Sequence, residues 1–371
     1  MSPIGIDFGT TTTAVARREG MQVELLADSD GTDVFPSVIA YTPSGRVEIG
    51  KSARARRLID PTNTLYSVKR IIGRSWLSAE VKEYRKEYPF ELERGEAGLP
   101  VFVTRAGKFT AAQATTDLLK QLDETVDPGF SGDDQVSISV PSAFKPDQRA
   151  AVVEAAEAAG VNSVRLVDEP HAAALPYIDT LGFGKTIAVY DLGGGTFDLA
   201  VLKLGIDGFE VLAAGGDPYL GGDDIDLRCA HWAAERILET HRWDVRSSRR
   251  SFQSLLFACE RAKIRLSDVD ETLIPLGQVD QVLDRKDLRL ERRQLESLLM
   301  DLVQRTFVVC DDVMSRSGVQ ARGIDAVILA GGGTFIPAVR KGVESYFGVE
   351  ALDAVPPDRV VAIGAALATS G

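Results

Sequence analysis

Val189-Tyr190-Asp191-Leu192-Gly193-Gly194-Gly195-Thr196-Phe197-Asp198 is the stretch that decides how this chain reads. An apolar strand breaks into three glycines, and Thr196 stands between two carboxylates, Asp191 and Asp198. The chain opens on a second version, Ile4-Gly5-Ile6-Asp7-Phe8-Gly9-Thr10-Thr11. Each is strand, Asp, small turn, Gly, Thr. Glycine lets backbone N–H groups approach an anion with no Cβ in the way. A carboxylate repels a phosphate, but it holds a metal ion, directly or through water, that bridges to one. Two such loops, one in each half, are expected to form two sides of one nucleotide cleft.

Working outward, the 371 residues exceed what one core usually serves, so two lobes of roughly 150–200 residues each are expected. A 44% hydrophobic and 26% charged composition is that of an ordinary globular protein. The net charge of −12 argues against nucleic acid or an anionic membrane as partner. Cys229, Cys259 and Cys310 are far apart and odd in number, and His171, His231 and His241 are scattered, so neither a disulfide framework nor a zinc spacing is visible. No apolar run is long enough to span a bilayer, and the N-terminus enters a strand without a signal peptide. A reducing cytoplasm is the expected compartment.

Residues 4–8 read as a strand buried on both faces, Thr10 to Thr13 as its turn, and Ala14 to Ala16 as the returning strand. Phe35 to Tyr41 is the clearest of several short strands, and residues 60–73 read as a short capped helix. On residue type alone, Lys69 and Arg70 are solvated charges. Thr110 and Gln113 make a capping box for a helix to about Glu124, and Asp127 to Asp134 is a loop. Gln135 to Val140 alternates as a strand stopped by Pro141. A helix from Pro146 to Ala159 closes at Gly160, and a strand from Val164 to Val167 leads toward another helix. Strand–helix–strand alternation implies a parallel α/β element.

Gly182 to Thr186 fails as a P-loop, because position 179 is Asp where the motif needs glycine. Gly193 to Asp198 and Gly331 to Ile336 fail the dinucleotide pattern at its last glycine. Strands at about 187–191, 199–204 and 208–214 repeat the opening plan, with Asp191 standing 184 residues after Asp7. The two lobes therefore read as a duplicated βββαβα unit. Gly221 to Asp224 starts a long helix to about Thr240, with Trp232 and Ile237 in the core. In the helix at 251–266, Glu260, Lys263 and Ser267 share one face, which either meets solvent or presents hydrogen-bonding groups to a ribose. Residues 273–295 suggest a small β-containing segment and a return helix. A strand from Ile324 to Ala330 enters a third glycine turn, Gly331-Gly332-Gly333-Thr334. Pro357-Asp358 caps a small-residue helix, Val360 to Ala368, expected to pack on the opening hairpin.

Taken together, Gly5 to Thr11, Asn63 to Arg74, Val140-Pro141, Arg165 to Ala174, Asp191 to Asp198, Leu220 to Asp226, Glu260 to Ser267 and Ala330 to Pro337 resemble, in order, the ATPase domain of the heat-shock protein 70 (DnaK-type) chaperones. The resemblance covers nearly the whole chain. It implies the α/β actin-like ATPase (ribonuclease H-like) fold, with lobe I at 1–184, lobe II at 185–371, and accessory subdomains at about 36–112 and 222–305. It implies ATP/ADP as nucleotide with Mg²⁺ and K⁺. Asp7 and Asp191 would organise the metal, through water, around the phosphates. Gly9, Thr10, Thr11, Gly193, Gly194, Gly195 and Thr196 would cradle those phosphates. Lys69 would contact the γ-phosphate and help place the attacking water, Glu169 would sense the metal's water shell, and Asp198 would hold water and cation. Glu260, Lys263 and Ser267 would bind the adenosine, with Gly222, Gly331, Gly332, Gly333, Phe335 and Asp358 completing its slot. Pro141 and Arg149 match the family's relay between nucleotide state and a second domain. The implied activity is slow ATP hydrolysis driving an open–closed chaperone cycle.

Several positions depart from the family pattern. The apolar interdomain linker and β-sandwich peptide-binding domain are not in the sequence, so a client would be reached only through a separate domain. Phe335 and Ile264 stand where members often carry arginine, and aromatic or apolar packing is expected to substitute. Arg165 matches an arginine that contacts the J-domain co-chaperone, while Asp168 and His171 replace the usual Asn and Thr, which puts an ordinary J-domain contact in question. A nucleotide-exchange factor is the other implied partner. The alternatives are an actin-like filament or nucleotide-gated scaffold protein, and a sugar or acetate kinase, for which no base or acceptor motif is present.

Overall fold

The computed structural model describes residues 2–206, 208–283 and 287–368. Gly371, the end expected for the second lobe, lies outside the described residues. Two sheets share one topology. In the first, Val161–Asp168, Gly132–Val140, Ile4–Phe8, Thr12–Glu19 and Gln22–Leu25 lie side by side in that order, with Val34–Pro36 also paired to Thr12–Glu19. In the second, the order is Ala351–Leu352, Ala326–Ala330, Thr186–Leu192, Phe197–Gly205 and Gly208–Asp217. In both, the first three strands by sequence form an antiparallel meander, and the last two run parallel to the first. This is the repeated βββαβα plan. Ile4, Ile6, Val189 and Tyr190 are fully buried, as continuous apolar strands covered on both faces should be.

The helix Val360–Ala368 joins the halves by backbone contact. A Cβ on Gly5 would run into the backbone of Ala362 and Ala366, and one on Gly364 into the Ala172 carbonyl. Small residues at these positions let the helix lie directly on the opening hairpin and on the helix Glu169–Ala174. In the first half, the helix Ala79–Glu87 precedes a three-stranded sheet, Glu91–Arg94, Pro100–Thr104 and Gly107–Thr110. In the second, Gly222–His241 and Arg249–Arg265 pack together ahead of the hairpin Glu271–Ile274 with Leu288–Glu291 and the long helix Arg292–Ser317. The capping box is present at Thr110 and Gln113, at the start of the helix Ala111–Thr125.

Some expectations need correction. Residues 60–73 are not one helix. Thr64–Tyr66 is a strand paired antiparallel with Val38–Tyr41, flanked by 3₁₀ turns at Pro61–Asn63 and Val68–Ile71. Its β-branched and aromatic side chains favour a strand, all three of its residues are buried, and Ser67 takes a left-handed φ of 53° that no continuous helix accommodates. Lys69 and Arg70 are not solvated; each is 3% exposed. The expected loop at 127–134 ends early, because strand pairing begins at Gly132. The strand expected at Val164–Val167 runs from Val161 to Asp168. Ile237 is a core residue, whereas Trp232 is half-buried and packs on the core from its edge.

Candidate nucleotide site

The two Asp-Gly-Thr loops meet across one cavity of about 440 Å³. Asp7, Gly9, Thr10 and Thr11 line it from the first loop, and Asp191, Gly193, Gly194 and Thr196 from the second. The loops are in van der Waals contact. A Cβ on Gly194 would strike the Thr11 side chain, and one on Gly195 would strike Thr10 and Arg70. Gly331 has a φ of 78°, and a Cβ there would collide with the Asp191 carboxylate. Only glycine satisfies the backbone and the space at that corner.

Charge is concentrated at the floor of the cleft. The Lys69 ammonium lies 2.6 Å from Glu169 Oε1, and it also donates to the Phe8 carbonyl at the end of the opening strand. Asp7 Oδ1 accepts from Ser139 Oγ at 2.9 Å, which ties the first loop to the neighbouring parallel strand. Burial, and next the Glu169 charge, push the Asp7 carboxyl up to about 6, with Lys69 and Ser139 opposing. Burial and Glu169 likewise raise Asp191 and Asp198 well above the usual carboxylate range. Four carboxylates packed against a single lysine leave the floor short of positive charge.

The residues fit a divalent cation held through water. Asp7 and Asp191 line the cavity, and their crowded carboxylates gain from a cation's charge. Among the described residues, no group of three or more metal-ligating side chains is assembled into a cage.

The opposite wall comes from the helix Arg249–Arg265 and the third glycine turn. Glu260, Lys263, Ser267, Gly222, Gly331, Gly332, Gly333, Phe335 and Asp358 all line the cavity, so the polar helical face looks inward. Sequence reading missed how that face is engaged. Arg54 and Arg57, from the other side of the cleft, reach Glu260 at 2.9 and 3.0 Å. Lys263 donates to Asp226 at 2.8 Å and to the Gly222 carbonyl at 3.0 Å. Against burial, Arg57 and Arg54 hold the Glu260 carboxyl below its ordinary range. Burial raises Asp226 to about 7, with Lys263 opposing.

A second set of bridges crosses below. Arg70 pairs with Asp224 at 2.8 Å, while Ser67 and Tyr88 hydroxyls donate to Asp223 at 2.6 and 2.9 Å. Ser67 and Arg70 fall in the Asn63 to Arg74 stretch and Asp223 and Asp224 in Leu220 to Asp226, but neither stretch foretells the pairing. The one signal in the sequence was the Asp223-Asp224 pair, whose charges also suit a helix N-terminus.

Four expected site residues stand outside the cavity. Gly195 lies beneath it, against Thr10. Asp198 and Pro141 line a smaller space behind Thr196. Arg149 pairs with Asp168 at 2.6 Å and donates to the Phe144 carbonyl at 3.2 Å. Asp168, one of the departures, thus gives Arg149 an ionic partner. Arg165 donates to the Ala368 carbonyl at 3.4 Å, and His171 packs edge-on to Phe209.

The family described as Hsp70 protein matches residues 3–370. This chain belongs to the Hsp70 family. It is 41% identical over 364 residues to the chaperone protein HscA of Cronobacter sakazakii, covering 98% of this chain and 57% of that protein. It is 40% identical over 365 residues to HscA of Serratia proteamaculans, with the same 98% and 57% shares. HscA of Escherichia coli O17:K52:H18 is 40% identical over 364 residues, again covering 98% and 57%. The chain therefore spans little more than half the length of these relatives. Membership agrees with the doubled βββαβα architecture and does not favour the filament reading. Among the described residues, no helix is long and apolar enough to cross a membrane.

Proposed function

We propose that this chain is an ATP-binding, slowly ATP-hydrolysing module of an Hsp70-type chaperone, with lobes at 1–184 and 185–371 closing on the nucleotide. The observation that carries this reading is the meeting of two Asp-Gly-Thr loops, one from each half, over the buried Lys69–Glu169 pair. Backbone N–H groups of Gly9 to Thr11 and Gly193 to Thr196 cradle the phosphates. Lys69 neutralises charge that builds on the γ-phosphoryl oxygens and orients the water that attacks there. Asp7 and Asp191 would hold Mg²⁺ through water, with Glu169 beside them, and the cation would supply charge neutralisation to the phosphates. K⁺ is proposed beside the phosphates on the same carboxylate-rich floor. Catalysis is positioning and charge stabilisation, with no covalent intermediate.

Glu260, Lys263 and Ser267 receive the ribose, while Phe335 and Ile264 offer the base apolar surface where many relatives have arginine. Pro141 and the Arg149–Asp168 pair relay the state of the cleft to a peptide-binding domain. Clients are reached through that domain, with a nucleotide-exchange factor and a J-domain protein as proposed partners in the cytoplasm. Asp168 is committed to Arg149, so a J-domain partner meets an ion pair where the usual Asn would stand.

The test is thermal unfolding with and without MgATP. A ligand that binds the native state at 100 times its Kd stabilises by about 2.7 kcal/mol. A clear rise in Tm supports the reading, and an unchanged Tm at millimolar MgATP contradicts it.

A further inference from the structure

The Lys69 ammonium makes its bonds inside the first half of the chain, to Glu169 and to the Phe8 carbonyl. Where it sits relative to the second phosphate loop is therefore set by the backbone that carries it. That backbone is the 3₁₀ turn Val68–Ile71, and residues before and after Lys69 are held from the second half. Ser67 Oγ donates to Asp223 Oδ2 at 2.6 Å. Arg70 donates from both terminal nitrogens to Asp224, at 2.8 and 3.5 Å, and its guanidinium lies 4.3 Å from the Tyr219 ring centroid.

Ser67 has φ 53° and ψ 30°, a left-handed conformation that is strained for a residue with a Cβ. The Asp223 bond holds it there from across the cleft. The two acceptors are tied in turn to the second phosphate loop. Gly222 and Asp223 donate their backbone N–H groups to the carbonyls of Gly193 and Gly194, at 3.0 and 2.8 Å. A Cβ on Gly221 would strike the Gly194 backbone, and one on Gly195 would lie 2.7 Å from Arg70 Nε. The loop Gly193 to Gly195, the start of the helix Gly222–His241 and the turn bearing Lys69 thus form one chain of contacts from half to half. Ser67 is 1% exposed and Arg70 3%. A buried guanidinium cannot exchange its carboxylate for water as an exposed one can, so a shift of the loop is passed to both sides of the lysine.

We propose that Asp223 and Asp224 are positioning residues for hydrolysis: acting through Ser67 and Arg70, they set the Lys69 ammonium against the γ-phosphate position when the two halves close. The inference rests on the nucleotide reading above. It differs from a clasp between the halves. A clasp changes how fast nucleotide leaves. A positioning pair changes the chemical step at saturating ATP, and does so only while Lys69 is present to be placed.

The experiment compares Ser67→Ala and Asp224→Asn, each in the native chain and in Lys69→Ala, by equilibrium ATP binding and single-turnover hydrolysis at saturating ATP. Ser67→Ala removes one hydroxyl and leaves the left-handed residue unheld. Asparagine at 224 keeps an oxygen for the Gly221 N–H at the start of the helix and removes the charge that Arg70 meets. Each single variant is expected to bind ATP within about 3-fold of native and to hydrolyse it about 10-fold more slowly, the loss of roughly one hydrogen bond. In Lys69→Ala neither change is expected to slow hydrolysis by more than about 2-fold further, since no ammonium is left to place. A native hydrolysis rate in either single variant would overturn the inference while leaving nucleotide binding intact. Slowing by an equal factor with and without Lys69 would also overturn it, since the two residues would then act on the fold of the site and not through the lysine. If the native chain binds no ATP, the nucleotide reading and this inference fall together.

Discussion

The Lys69 ammonium and the Glu169 carboxylate lie 2.6 Å apart, with side chains 3% and 7% exposed, although 100 residues separate them in sequence. Lys69 follows the strand Thr64–Tyr66 on a 3₁₀ turn, and Glu169 opens a short helix at the end of the strand Val161–Asp168. Neither charge is stable alone in such a site. Removing Lys69 leaves an unpaired buried carboxylate, a change that typically costs about 3–5 kcal/mol. Lys69→Met is expected to lose that much in urea unfolding of the nucleotide-free protein. The double change Lys69→Met with Glu169→Leu recovers most of it. Equal additive losses in the two single variants and the double would contradict a coupled pair.

The carboxylate floor predicts a pH dependence with a definite sign. The Asp7 carboxyl is raised to about 6 from 3.8, so the folded protein binds a proton there more tightly than the unfolded chain. Ionised Asp7 therefore costs the nucleotide-free fold stability above about pH 6, and the cost is relieved as pH falls toward 4. Two pH units correspond to about 3 kcal/mol. Asp7→Asn is expected to raise the Tm of the nucleotide-free protein at pH 7.5 and to flatten its dependence between pH 6 and pH 4. It is also expected to weaken Mg²⁺-dependent ATP binding. Thermal unfolding over that pH range checks the sign.

Arg54, Arg57 and Glu260 form a latch across the mouth of the cleft, at 2.9 and 3.0 Å. Arg57 also stacks over Tyr66, its guanidinium 3.8 Å from the ring centroid. All three residues line the cavity, so the latch lies on its wall. Arg54→Ala combined with Arg57→Ala is expected to speed ADP release about 10-fold or more, with little change in single-turnover hydrolysis. Stopped-flow displacement of a fluorescent ADP analogue reads the release rate. An unchanged rate would mean that the cleft opens elsewhere.

Backbone contact at Gly364 makes the junction of the two halves intolerant of a single methyl group. A Cβ there meets the Ala172 carbonyl in the helix that begins with Glu169. Gly364→Ala would favour the helix locally, yet it is expected to destabilise the protein by about 3 kcal/mol or more through overpacking. It should also weaken ATP binding by displacing Glu169. Chemical unfolding and ATP titration of this variant test both parts.

Much of this was legible in the sequence because it is local. The paired strand-Asp-Gly-Thr loops, the Thr110–Gln113 capping box and the small-residue helix each rest on residues close in sequence. The helical face of Glu260, Lys263 and Ser267 follows from helical spacing. That it faces the cavity needed the family resemblance, since such a face is usually solvated. What stayed hidden depends on distant pairing. Thr64–Tyr66 is a strand only because Val38–Tyr41 lies beside it. Lys69 and Arg70 are buried only because Glu169 and Asp224 come from elsewhere to neutralise them. The contacts of Ser139, Arg54 and Arg57 have no motif, and each is made only by folding.

Single-turnover ATP hydrolysis with Mg²⁺ and K⁺, comparing the native chain with Lys69→Ala, tests the central claim most directly. The native chain is expected to bind ATP and hydrolyse it slowly, far below the enzyme median of about 10 per second. The variant is expected to bind ATP and hydrolyse it at least about 100-fold more slowly, as loss of one charge-stabilising donor predicts. Hydrolysis by Lys69→Ala at the native rate would contradict the assignment of this cleft as the catalytic site.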